Sequence, residues 1–197
     1  MMELLVTKLA PQFTTTCVYP DRFEELSLSS LQGKYVVLFF YPLDFTFVCP
    51  TELVSFQEHL EEFKKLGVTL LGCSIDSHFT HRAWLDTPLN KGGIEGVQYG
   101  LLSDIGGKIA KSYGVLNDEC IALRGLFLID QKGVIRHQVI NDLPLGRNVK
   151  EVLRMVEALQ HVEEHGEVCP ANWTKSQKAI NATKESVSGY LSDKKIA

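Results

Sequence analysis

The sequence has no CxxC pair, no apolar run of membrane length and no surplus of basic residues. Its longest apolar run, Tyr35 to Pro42, falls well short of the roughly 18 residues a membrane span requires, and fits one buried strand. Twenty basic residues against 24 acidic ones give a net charge of −4. A nucleic-acid binder usually carries the opposite balance. The first residues, Met1 to Pro11, have no basic segment, and Leu4-Leu5-Val6 is too short for a signal peptide, so the cytosol is the expected compartment. There the Asn-x-Thr sequons at Asn172 and Asn181 carry no meaning. The cysteines, Cys17, Cys49, Cys73, Cys120 and Cys169, are odd in number. Without a CxxC pair they form neither a zinc ribbon nor a vicinal dithiol. Static disulfides are not expected in a reducing compartment, which points to individually reactive thiols. Internal repeats are also absent, which excludes a solenoid.

What remains is an ordinary globular composition. The 197 residues are 45% hydrophobic and 22% charged, enough for one sizeable core. Lys34 to Tyr41 carries a continuous apolar, β-branched and aromatic run, as in a central strand buried on both faces. Leu53, Phe56, Leu60 and Phe63 then recur at helical spacing, opposite a solvated Glu/Lys face, until Gly67 closes the helix. A strand over 68–75 and a short helix over 79–86 follow. Residues 90–100 are Gly-rich and read as a loop. A short helix over 108–113 precedes strands over 126–130 and 134–140, turned by Gln131-Lys132-Gly133. The second of these alternates apolar and polar residues, as an edge strand does. A helix over 148–164 presents Val149, Val152, Leu153, Val156, Leu159 and Val162 on one face. After Gly166 the chain becomes rich in Ser, Lys, Ala and Asn, with one weak helix over 183–191. The pattern predicts an α/β layer fold with a mixed sheet and helices on both faces. Residues 1–165 are expected to form the main domain and 166–197 a C-terminal tail.

One cysteine has a setting that favours chemistry. Cys49 lies between the buried strand and the amphipathic helix, in Tyr41-Pro-Leu-Asp-Phe-Thr-Phe-Val-Cys49-Pro-Thr-Glu52. Pro50 suits the first helical position, and Glu52 is placed to close the first turn. Free N–H groups and the positive end of the helix dipole favour a thiolate at Cys49, and the thiolate is the reactive form.

The segment Pro42 to Cys49 also matches a P-x-x-x-T/S-x-x-C signature, that of the peroxiredoxins. The chain resembles their typical two-Cys subgroup, of the alkyl hydroperoxide reductase C and thioredoxin peroxidase type. Further matches, in the same order, are Ser74 to Ser77, Ile121-Ala-Leu-Arg124-Gly, Asn141 to Arg147, and Gly166-Glu-Val-Cys169-Pro-Ala-Asn-Trp173. The resemblance covers the chain from about residue 6 to 190. It implies a thioredoxin-like fold and reduction of hydrogen peroxide and organic hydroperoxides, with no cofactor and no metal. It implies Cys49 as the peroxidatic cysteine and Cys169 of a partner subunit as the resolving one. Arg124, Thr46 and Pro42 would serve the peroxidatic thiol, with Glu52 and Arg147 orienting Arg124. A homodimer is implied, assembling to a decamer, with thioredoxin or a flavoprotein disulfide reductase as electron donor. For Cys49 to meet Cys169, the first turn of its helix is expected to unwind. The family's overoxidation-sensitive pattern is matched only in part, by Gly92-Gly93-Ile94-Glu95-Gly96 and by Tyr190-Leu191.

Other groups read more plainly. Cys73 and Cys17 are expected to be structural, and Cys120 to lie in a loop near Arg124. His78 and His81 are expected at the surface or an interface rather than on a metal, and Trp84 and Trp173 in packing. The alternative function is that of a chaperone-like holdase. A dithiol oxidoreductase lacks its CxxC, and a cysteine hydrolase lacks a recognisable histidine base.

Overall fold

The computed structural model describes residues 4–192. Two compact units follow one another along the chain, the first ending at Val149 and the second beginning at Lys150. The compositional boundary at 165/166 falls within the second unit.

The first unit is built on a seven-stranded mixed sheet. β1 (Thr14–Val18) and β2 (Phe23–Ser27) form an N-terminal hairpin. β3 (Tyr35–Phe40) and β4 (Val68–Ser74) run parallel. β5 (Gly100–Ser103), β6 (Arg124–Ile129) and β7 (Ile135–Asn141) complete the order β2-β1-β5-β4-β3-β6-β7. Every residue of β3 is buried, because β4 and β6 flank it and both its faces are covered. Phe39 stacks on Phe56 with ring centroids 4.3 Å apart, while its neighbour Phe40 packs on Tyr113 and Phe127. Successive strand side chains point to opposite faces. The two phenylalanines therefore pin different layers to the sheet, each burial being worth about 1.5–3 kcal/mol. β7 lies at the edge, as its alternation predicts, with only Ile135 fully buried.

Two features depart from the sequence reading. The long helix after Cys49 is two helices, α1 (Cys49–Glu58) and α2 (Leu60–Lys65). At the junction the His59 ring Nδ1–H donates to the Ser55 carbonyl at 2.9 Å, and the His59 amide turns to Gln57 instead. A side chain that takes the i−4 carbonyl breaks the helical ladder. The short extended pieces expected around Pro11 and Pro20 pair as an N-terminal hairpin, and β5 lies in a stretch read as loop. β5 spans only Gly100–Ser103 and starts on a glycine, at the end of the Gly-rich stretch. That glycine is required, since a Cβ there would lie 2.5 Å from the Cys17 sulfur on β1. The remaining helices of this unit, α3 (His78–Leu85) and α4 (Lys108–Ser112), lie where the periodicity places them. Ser77 caps α3 by accepting the Thr80 N–H.

The second unit holds most of α5 (Val149–His165), and α6 (Lys184–Ser192). Along α5, Val152, Leu153, Val156 and Ala158 are buried, whereas Val162 is exposed, so the buried face stops short of the last turn. Between the helices, Val168 and Ile180 form an isolated antiparallel bridge that closes a loop containing Cys169 and Trp173. No helix among the described residues is long and apolar enough to cross a membrane.

Candidate active site

Cys49 follows directly from the loop that leaves the carboxyl end of β3, the usual position for a site in an α/β sheet. It is the first residue of α1 and fully buried, with Pro50 beside it in the first turn. Pro42 is buried and Thr46 half-buried in the same loop. The Thr46 hydroxyl donates to the Leu43 carbonyl at 2.9 Å. Its lone pairs therefore face the role of acceptor. Phe45 in this loop has φ 53°, a left-handed conformation unusual for a bulky residue, and its ring packs on Trp84.

The guanidinium of Arg124, at the start of β6, lies against the thiol, with Nη1 3.5 Å from the Cys49 sulfur. The same Nη1 donates to Glu52 Oε2 at 2.7 Å, and Nε donates to the Leu143 carbonyl at 2.7 Å. Glu52 does not close the helix turn as the capping pattern predicts. Its carboxylate instead takes a fork from Arg147, with Nε to Oε1 at 2.7 Å and Nη2 to Oε2 at 2.9 Å, plus the Arg147 amide at 2.8 Å. Two guanidiniums outcompete a neutral N–H for a carboxylate. Arg147 Nη1 also donates to the carbonyls of Phe40 and Gly125, tying the centre to β3 and β6. Burial alone would raise the Glu52 carboxyl, but Arg147 and Arg124 hold it below its ordinary value. Two buried cations against one anion leave a residual positive charge beside the sulfur. A thiolate is the group that would neutralise it.

The residue types alone did not mark a second buried network, which fastens the loop from below. His81 is fully buried, not at the surface or an interface as the sequence reading expected. Its Nδ1 meets Asp44 Oδ2 at 2.7 Å and its Nε2–H donates to the Leu102 carbonyl at 3.1 Å, so neither nitrogen is open to a metal. Asp44 also accepts from the Tyr41 hydroxyl at 2.9 Å, and its amide donates to Asp76. Burial raises the Asp44 carboxyl, with His81 opposing the shift. The signal was present: His81, Trp84 and Leu85 share one face of α3, and that face is buried.

The other thiols divide sharply. Burial pushes Cys17 up to about 12 and Cys73 well above its ordinary value, so both stay protonated and inert. Cys120 is exposed at the tip of the loop before β6, with φ 59°. Cys169 is half-buried, its sulfur 3.7 Å from the Ala158 carbonyl. Burial raises its thiol, with Arg154 pulling the other way.

Comparison with known proteins agrees with this geometry. The chain matches the AhpC/TSA family over residues 6–138 and the C-terminal domain of 1-Cys peroxiredoxin over residues 158–193. It is 53% identical to peroxiredoxin-2 of Mus musculus over 188 residues, covering 95% of each chain. Peroxiredoxin-1 of Gallus gallus is 50% identical over 195 residues, covering 98% of each. The reduced 2-Cys peroxiredoxin of Plasmodium vivax superposes with a TM-score of 0.94 at 47% identity, covering 96% of this chain and all of that one. The fold is thus the thioredoxin-like one, and by class the protein is a thiol peroxidase. It belongs to the AhpC/TSA family, the peroxiredoxins.

Proposed function

We propose that the protein reduces hydrogen peroxide and organic hydroperoxides through Cys49, with Cys169 of a partner subunit as resolving thiol. The observation that carries this reading is the Arg124 guanidinium 3.5 Å from the Cys49 sulfur, held there by Glu52. The thiolate attacks one peroxide oxygen. As the S–O bond forms the O–O bond breaks, and the peroxide's own proton passes to the leaving oxygen, which departs as water or alcohol. Sulfur loses two electrons and becomes a sulfenate, which takes a proton from solvent to give the sulfenic acid. Arg124 stabilises the thiolate and the negative charge that develops across the O–O bond. Thr46, its proton held by Leu43, accepts from the peroxide O–H and orients it. Pro42 covers the thiolate without an N–H to compete. Glu52 and Arg147 keep Arg124 in place.

The Cys169 thiol then attacks the sulfenic sulfur. An S–S bond forms, the S–O bond breaks and water leaves. An external dithiol, thioredoxin or a flavoprotein disulfide reductase, reopens the disulfide by exchange. Because Cys49 is fully buried, its first helical turn must unwind for this step. The strained Phe45 beside it lowers the cost of leaving the resting loop. The minimal unit is a homodimer, which the position of β7 as the last strand of the sheet suits, assembling further to a decamer in the cytosol.

The test is a non-reducing gel of the reduced protein after one equivalent of hydrogen peroxide, beside Cys49→Ser and Cys169→Ser. The expected result is a rapid covalent dimer, lost in both variants. A dimer that persists without Cys49 overturns the reading.

A further inference from the structure

We infer that His161 is a pH-sensitive latch on the segment that carries Cys169, setting how readily that thiol is released for resolution. The inference rests on the proposed resolving role of Cys169. Cys169 cannot attack a sulfenic acid on another subunit while its sulfur lies against the Ala158 carbonyl of α5. What holds it there governs the step.

Three α5 residues, Arg154, Ala158 and His161, stand at spacings of four and three, on one helix face. All three touch the segment. Arg154 Nη1 donates to the Trp173 carbonyl at 3.0 Å. Ala158 accepts from Cys169. His161 contacts the chain on both sides of the cysteine. Its Nε2–H donates to Glu167 Oε2 at 2.9 Å, two residues before Cys169. Its ring lies 4.8 Å from the ring of Trp173, four residues after it. Trp173 is buried and its indole N–H donates to the Gln177 carbonyl. The indole is therefore a fixed wall and Glu167 the movable partner.

The strength of this latch depends on the charge of the imidazole, the side chain suited to titration near neutral pH. As an imidazolium, His161 makes a charge-assisted bond to the Glu167 carboxylate and presents a cation to the Trp173 ring. As neutral imidazole it keeps a weaker bond and loses the second attraction. The groups facing it are Glu167, Trp173 and His165, whose ring stacks on it at 4.3 Å. His165 in turn lies 3.8 Å from Glu164. Glu157, one helical turn before His161, Arg154, engaged with Glu151, and the Cys169 thiol are further ionisable groups near it among the described residues. Acidification therefore tightens the segment onto α5 and slows resolution.

The test measures intersubunit disulfide formation by quenched non-reducing gels after a peroxide pulse, at about pH 6 and pH 8. Wild type is compared with His161→Phe, which keeps a ring against Trp173 but cannot bond Glu167 or titrate, and with Glu167→Gln. Both variants should resolve about fivefold faster than wild type at the lower pH and converge with it at the higher one, as loss of one charge-assisted bond implies. The Cys169 thiol's own titration slows wild type and His161→Phe alike at low pH, so their ratio isolates the latch; Glu167→Gln also removes a charge that raises that thiol and is read beside them. Indole emission gives a second reading: the wild-type signal should fall on acidification, because an imidazolium quenches an adjacent indole, and the fall should vanish in His161→Phe. Equal pH profiles for resolution and emission in wild type and His161→Phe overturn the latch while leaving Cys169 as the resolving thiol. Cys169→Ser, run alongside, separates the two ideas. If it still yields the covalent dimer, the resolving role falls and the latch with it.

Discussion

Cys49 is enclosed by groups from several distant stretches of chain, whereas Cys169 lies on a short loop held to one helix. Around Cys49, Arg124 comes from β6, Glu52 from α1 and Arg147 from the turn after β7, and each is nearly inaccessible to solvent. Around Cys169 the contacts come from Arg154, Ala158 and His161 of α5, and the thiol is half-buried. The first environment holds charges in place before any reaction, at the cost of burying three ionised groups that must stay paired. The second holds Cys169 by few and individually weak bonds, which suits the travelling nucleophile we propose it to be.

The largest way to break that comparison is to remove each sulfur in turn. Cys49→Ser should abolish peroxide consumption altogether. Cys169→Ser should consume one equivalent rapidly and then stall as a sulfenic acid, read by a single-turnover peroxide assay with a sulfenate trap. Loss of the first turnover in Cys169→Ser would mean the two thiols do not divide the work.

Glu52→Gln leaves Arg124 and Arg147 buried without their carboxylate. It should cost about 3–5 kcal/mol of stability, measured by urea unfolding, and slow the attack on peroxide as Arg124 loses its anchor. A stability change below about 1 kcal/mol, the range of exposed pairs, would show that the cluster is solvated after all.

The pH dependence sharpens the same point. Burial opposes ionisation of Glu52, yet the two arginines hold its folded value below the ordinary one. Its contribution is therefore present above the unfolded value and lost as pH falls through the folded value. Asp44 is displaced upward by burial. It works in the opposite sense, favouring the fold as pH falls through its raised value. Urea midpoints between about pH 3 and 7 should fall on acidification in wild type and flatten in Glu52→Gln. Parallel curves would remove Glu52 from the account.

The smallest effect concerns Cys120, an exposed thiol with neither kind of environment. Its left-handed φ of 59° suits glycine. Cys120→Gly should stabilise the fold by about 0.5 kcal/mol, the relief of the Cβ clash less the added freedom of the unfolded chain. It should leave the first-turnover rate unchanged. A slower first turnover would make Cys120 part of the chemistry.

Much of this molecule could be read from local pattern. β3 announced itself because a strand buried on both faces needs an unbroken apolar run. α3, α4 and α5 followed from helical spacing. Cys49 stood out because the strand–loop–helix setting is itself a sequence property. β5 did not show, since a four-residue strand entered on a glycine has no period to detect. The break at His59 was hidden for a similar reason: one ring taking one carbonyl leaves the apolar spacing intact.

The residue types at the site were thus determined by sequence alone: a thiol at a helix start, a hydroxyl three residues before it, a carboxylate three residues after. The tertiary structure decided which charges meet. Glu52 lies 72 positions from Arg124 and 95 from Arg147, and no local pattern specifies a contact at such separations. It arises because β3 sits between β4 and β6, which brings the start of β6 and the turn after β7 to the end of the strand that delivers Cys49. His81 is the same case in miniature. Its helical spacing placed it on the buried face, but only the folded chain supplied the Asp44 carboxylate that makes a buried imidazole tenable.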